Sequence, residues 1–161
     1  MNVSEKRLSV LAADSPEAFL RLTGVMARRG FRLRGMSLAK TMHPGVVRYT
    51  LVFPGDDGAA ERAVLNLRKV VDVLRVEDVS GEAFRERWVA LIRCACRACD
   101  VPETLPLRVL EEDADSVLFE ASGDRETVES CISAMASFGI GDVIRGGPFV
   151  MPLAPGTEPP V

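Results

Sequence analysis

The sequence predicts an α+β fold: two ferredoxin-like sandwiches of βαββαβ order in tandem, the second smaller and partly reduced. Three observations predict it. Short apolar runs alternate with stretches of helical periodicity, glycine and proline clusters fall between them, and the order recurs in degraded form in the second half. A chain of 161 residues has room for one ordinary domain or two small ones. The expected boundaries are 6–80 and 86–153, followed by a proline-rich tail, 154–161, expected to be disordered.

The first unit opens with the apolar strand around Leu8–Ala13 and a loop that punctuates it. Asp14 or Ser15 can cap the following helix, Pro16 suits its first turn, and Glu17 puts negative charge at the positive end of the helix dipole. Phe19, Leu22, Met26 and Ala27 recur at helical spacing, and Gly30 supplies the left-handed residue that ends the helix. Phe31, Leu33, Met36 and Leu38 read as a second strand interrupted at Gly35. After the turn Met42–Gly45, the alternation of Val47, Tyr49, Leu51 and Phe53 gives a third strand. Ala59 to Val70 reads as a helix with Ala60, Val64, Leu67 and Val71 on one side, and Val73–Val79 as the fourth strand.

The second unit starts after the polar link Ser80–Glu86. Trp88–Cys96 reads as a strand, and Arg97–Pro106 as irregular chain where a βαββαβ unit would carry its first helix. Leu107–Leu110 and Ser116–Ala121 flank an acidic turn as a hairpin. Arg125–Phe138 is a helix with Val128, Cys131, Ile132, Met135 and Phe138 as its apolar stripe, and Ile140–Ile144 and Phe149–Leu153 read as strand.

Composition removes several functions. The balance is 47% hydrophobic and 27% charged, that of a globular protein, and a net charge of −3 argues against general nucleic-acid binding. No apolar run approaches the roughly 20 residues of a membrane helix, and Met1–Lys6 lacks a signal-peptide core. The four cysteines are therefore expected to be reduced thiols in a cytoplasm. Catalysis by the chain is not expected. Its single histidine, His43, sits before Pro44 in a turn with no nucleophile motif beside it, and Gly139-Ile140-Gly141 follows a helix and lacks the third glycine of a phosphate loop.

Two clusters remain. Cys94, Cys96 and Cys99, with Cys131 as a fourth thiolate, could hold zinc or an iron–sulfur cluster; the spacing matches no standard zinc pattern, and buried cysteine is also an ordinary small apolar residue. Arg28, Arg29, Arg32 and Arg34 could face an acidic partner, or simply be solvated at a helix C-terminus. A strand that feeds a loop whose free N–H groups open a helix is in turn a natural seat for a carboxylate.

Three segments carry a family resemblance: Leu8–Gly35, Lys69–Val76, and Phe119–Val150 with its Gly139-Ile140-Gly141-Asp142-Val143-Ile144-Arg145-Gly146 run. In this order they resemble the small, regulatory subunits of acetolactate synthase, whose N-terminal half is an ACT domain. The resemblance implies a homodimer through ACT domains. It also implies a large catalytic partner, and thiamine diphosphate, magnesium and FAD would belong to that partner, none to this chain. The ligand it implies is a branched-chain amino acid such as valine, its carboxylate on the loop. The family pattern has Asn, two residues, then Gly in the loop, and Asn at the start of the second strand; those positions are Asp14, Glu17 and Arg32 here, beside loop neighbours Ser15, Pro16 and Ala18. Glu17 and Arg32 are expected to form an internal pair that fills the effector site, the alternative being drift at surface positions. The competing function is a stand-alone ACT-type sensor or interaction module with no synthase partner.

Overall fold

The computed structural model describes residues 4–81 and 84–152, which fall into two compact units. One takes the chain up to Arg85 together with the stretch from Pro148; the other is Glu86–Gly147. The C-terminal stretch from Pro148 thus groups with the first unit rather than with the second, as the 86–153 boundary would have it. Leu153 and the tail 154–161 lie outside the described residues.

The first unit runs β1 (Glu5–Ala13), α1 (Pro16–Arg28), β2 (Gly35–Lys40), β3 (Val46–Pro54), α2 (Asp57–Leu67) and β4 (Val73–Asp78). Its sheet has the order β2-β3-β1-β4, antiparallel throughout. β1 pairs along its whole length with β3, Leu8 opposite Leu51 and Val10 opposite Tyr49, and with β4 on its other side, with a bulge between Leu11 and Ala12. Side chains on a strand alternate faces, so Leu8, Val10 and Ala12 share one face with Tyr49, Leu51 and Phe53 of β3. Leu22 and Met26 of α1 and Ala59, Ala63 and Leu67 of α2 close over them in one core cluster.

Three corrections to the sequence reading concern this unit. α1 buries Ala18, Leu22 and Met26, a strict i, i+4, i+8 row, and leaves Phe19 and Ala27 off that row and exposed. α2 buries Ala59, Ala60, Ala63 and Leu67, while Val71 lies beyond its end and in solvent. The second strand begins at Gly35, because residues 31–34 are spent on closing the helix. That closure is a Schellman motif. Gly30 takes φ 76, its N–H donates to Ala27 O (3.0 Å), and Phe31 N–H donates to Met26 O (2.9 Å). Phe31 then turns into the core, its ring edge-on to Phe53 at 5.3 Å.

The second unit is built on β5 (Phe84–Cys94), β6 (Leu107–Glu112), β7 (Val117–Gly123), α3 (Arg125–Met135) and β8 (Ile140–Pro152), the ends of β5 before Glu86 and of β8 after Gly147 counting with the first unit; the strand order is β6-β7-β5-β8. The strand order repeats that of the first sheet, but between β5 and β6 the chain makes only one 3-10 turn, Ala98–Asp100. Val101 of that segment, with Leu105 beside it, joins the core formed by Ala90, Ile92, Phe119, Val128, Cys131, Ile132 and Met135. Of the expected stripe, Val128, Cys131, Ile132 and Met135 are buried on α3, while Phe138 is half-buried in the 3-10 turn Ala136–Phe138 that follows, before the left-handed Gly139. β8 is one strand, not two.

Two measurements check this packing. Leu8 is fully buried at the centre of the first core, so Leu8→Ala should lower unfolding free energy by about 2–5 kcal/mol in denaturant titrations. In the second unit, Asp124 caps α3, and hydrogen bonds from Thr127 hold its carboxyl below the ordinary 3.8. With the folded value below the unfolded one, this stabilisation is complete above the unfolded value and lost as pH falls through the folded one. Asp124→Asn should therefore flatten the fall of stability below pH 3.8 while leaving neutral-pH stability nearly unchanged.

Candidate functional site

The β1–α1 loop is suspended from three backbone hydrogen bonds. Ala13 N–H donates to Asp72 O (2.9 Å), Asp14 N–H to Gly45 O (2.8 Å) and Ser15 N–H to Ala13 O (2.9 Å). Of the two expected capping residues, Ser15 does the work: its Oγ accepts from Ala18 N–H at 3.1 Å. Pro16 opens the helix without an N–H, and Ala18 is buried beneath the loop. The result is a rigid ledge with Asp14, Pro16 and Glu17 facing solvent.

The structure separates the two charges that the sequence reading pairs. Glu17 stands in the first turn of α1, and Arg32 follows its C-terminus. From Glu17 to Arg28 the helix rises about 17 Å at 1.5 Å per residue, and Arg32 lies past its end, far beyond the reach of a glutamate and an arginine side chain. Both are exposed, and no ion pair joins them. Within one chain the internal pair is therefore corrected to two solvated charges at opposite ends of one helix.

What the periodicity missed is the surface between those ends. Phe19 and Leu20 of α1 and Leu38 of β2 are exposed apolar side chains, 37%, 66% and 48% accessible. Phe19 and Leu38 meet through Tyr49: Phe19 lies against it, ring centroids 6.3 Å apart, and Tyr49 is the cross-strand partner of Leu38, while Leu20 projects further round the helix into solvent. β2 is an edge strand of its sheet. The signal was present in the sequence as two adjacent apolar residues, Phe19-Leu20, of which a single buried helix row can hold neither once Ala18, Leu22 and Met26 take it.

A cavity of about 490 Å³ lies elsewhere, along β4, lined by Arg68, Val73, Leu74, Arg75, Val76 and Glu77. It is an open groove whose charges are mutually satisfied, with Arg75 bonded to Glu77 at 2.5 Å and Arg68 reaching Val76 O at 3.4 Å. The cysteines divide by burial: Cys94 and Cys131 are buried, Cys96 is half-buried and Cys99 exposed. Among the described residues no group of three or more His, Cys, Asp or Glu side chains is placed to hold a metal ion. No helix among them is long and apolar enough to cross a membrane.

Comparison with known proteins agrees with the architecture. Residues 8–75 match the AHAS small subunit-like ACT domain. The probable acetolactate synthase small subunit of Methanothermobacter thermautotrophicus is 26% identical over 151 residues, covering 89% of this chain and 90% of the relative. The acetolactate synthase small subunit of Aquifex aeolicus is 30% identical over 151 residues, 89% of this chain and 79% of the relative. The crystal structure of the small subunit from Thermotoga maritima has the same fold, with a TM-score of 0.85 at 23% identity over 93% of this chain and 98% of that one. With relatives matched through both units and not the ACT segment alone, the chain belongs to the acetolactate synthase small-subunit family.

Proposed function

We propose that this chain is the regulatory subunit of an acetolactate synthase, non-catalytic in itself, that binds and activates a large catalytic subunit in the cytoplasm. Thiamine diphosphate, magnesium and FAD are then the partner's cofactors. The observation that carries the reading is the extent of the match: 151 residues spanning both units, where a stand-alone ACT sensor would need only the first. Activation without a catalytic group means that the chain binds the active form of its partner more tightly than the inactive one.

The active species on this reading is a homodimer of ACT domains joined along the β2 edge and α1. Phe19, Leu20 and Leu38 supply its apolar contact, and at about 25 cal/mol per Å² of apolar surface their burial favours association. With the two-fold axis near the middle of α1, the two α1 helices run past each other head to tail, and Glu17 of one copy comes toward Arg32 of its partner. Closing the effector site is thus a property of the dimer. Glu17 takes the place of a ligand carboxylate and Arg32 that of a ligand ammonium, and the subunit activates without responding to valine.

Mixing the purified chain with its catalytic subunit should raise the rate of pyruvate condensation and give a co-eluting complex; neither effect would overturn the synthase reading and favour the stand-alone module. Calorimetric titration of valine, leucine and isoleucine should show no heat with the unaltered chain and binding with Glu17→Gly/Arg32→Asn. Heat with the unaltered chain would refute the closed site, and silence in both would make Glu17 and Arg32 surface drift.

A further inference from the structure

The segment that replaces a helix in the second unit carries two of the four cysteines, Cys96 and Cys99, with Cys94 at the end of the strand before it. Cys96-Arg97-Ala98-Cys99 places two thiols three residues apart at the opening of the 3-10 turn Ala98–Asp100. The turn is closed by Asp100 N–H to Arg97 O (3.1 Å) and Val101 N–H to Ala98 O (3.3 Å). It is clamped at its start by Arg97 N–H to Asp100 Oδ2 (3.0 Å) and by Ala98 N–H to Glu112 Oε1 (3.0 Å). Cys99 is exposed, its Sγ 4.0 Å from Asp100 Oδ1. Cys96 is half-buried against the core, on the chain leading into the turn that carries Cys99. Cys131 is enclosed on α3, where a thiol is inert.

We propose that Cys96 and Cys99 form a redox-active dithiol, which a low-molecular-weight disulfide converts reversibly to an intramolecular disulfide. The exposed Cys99, as thiolate, attacks one sulfur of the small disulfide; the Cys99 mixed disulfide forms and one small thiolate leaves. Cys96, its proton lost to water, attacks the Cys99 sulfur; the Cys96–Cys99 bond forms and the second small thiolate leaves. Two protein thiols are oxidised and one small disulfide is reduced to two thiols. Burial, with the carboxylates of Asp100 and Glu112, pushes the Cys96 thiol up, so the exposed Cys99 is the thiol that meets the small disulfide first. The bond ties down the one segment that covers this unit's core without a regular helix.

Arg97 between the two thiols makes the bond directly readable. The whole protein is equilibrated with glutathione disulfide, remaining thiols are alkylated, and the chain is cut with trypsin after Arg93, Arg97 and Arg108. The expected product is the peptide Cys94–Arg97 joined to Ala98–Arg108, two hydrogens lighter than the pair, lost on treatment with a dithiol reductant. It should vanish in Cys99→Ser and persist in Cys131→Ser. In Cys96→Ser the reaction should stop at a glutathione adduct on Cys99. A bond closed within Cys94–Arg97, a lasting adduct on Cys99 in the unaltered chain, or unmodified thiols throughout would each overturn the proposal.

Discussion

The first unit depends on β1 being held from both sides. Its nine residues pair without interruption along β3 and, past one bulge, along β4, which fixes the central strand before either helix is considered. Leu8, Val10 and Ala12 are fully buried on the helix side, and Ser9 and Leu11, which point the other way, are nearly so. A strand buried on both faces has no freedom to slip, because a one-residue shift would exchange its two faces. The loop at Asp14 and Ser15 inherits that rigidity: the hydrogen bonds that suspend it run to Asp72, just before β4, and to Gly45, just before β3. The loop is therefore a corner of the sheet, held by backbone hydrogen bonds of the fold itself.

The second constraint is the length of α1. A helix of thirteen residues, begun by Ser15 and ended by Gly30, sets the distance between the loop and the start of β2. Any ligand a few ångströms long that touched both would have to be shared between two copies, since in one chain the length of α1 lies between them. The chemistry of this corner and the oligomeric state of the protein are thus one question. The exposed Phe19, Leu20 and Leu38 lie between the two ends of the helix, where such sharing needs apolar contact.

Most of the architecture was legible from local rules, and the errors have local causes. The caps of α1, the β1–β3 alternation and the α3 stripe involve residues whose periodicity and turn chemistry agree, as at Ser15, Gly30, Val128, Cys131 and Met135. The row on α1 was misread because Phe19 is larger than Ala18. A hydrophobicity pattern weights size, whereas the space between helix and sheet accepts the alanine and turns the phenylalanine out against Tyr49. The late start of β2 was hidden for a different reason. Phe31 and Leu33 have strand-like spacing, but the Schellman closure uses the backbone there, which no side-chain period reports. The pairing of Glu17 with Arg32 failed because a sequence pattern names positions without the distance between them.

The residues at this corner also separate by what they do for the fold. Ser15 caps, Pro16 opens the helix, Ala18 is packed at 1% exposure, and Gly30 needs a positive φ; replacing any of them would disturb the chain whether or not anything binds. Asp14, Glu17 and Arg32 are exposed and make no side-chain contact that the fold requires. They are also the three positions at which the sequence departs from the amino-acid-binding pattern it otherwise resembles. A scaffold kept by its own folding energetics can lose or invert its ligand chemistry at such positions at little cost in stability. An intact ACT fold is accordingly no evidence of an effector.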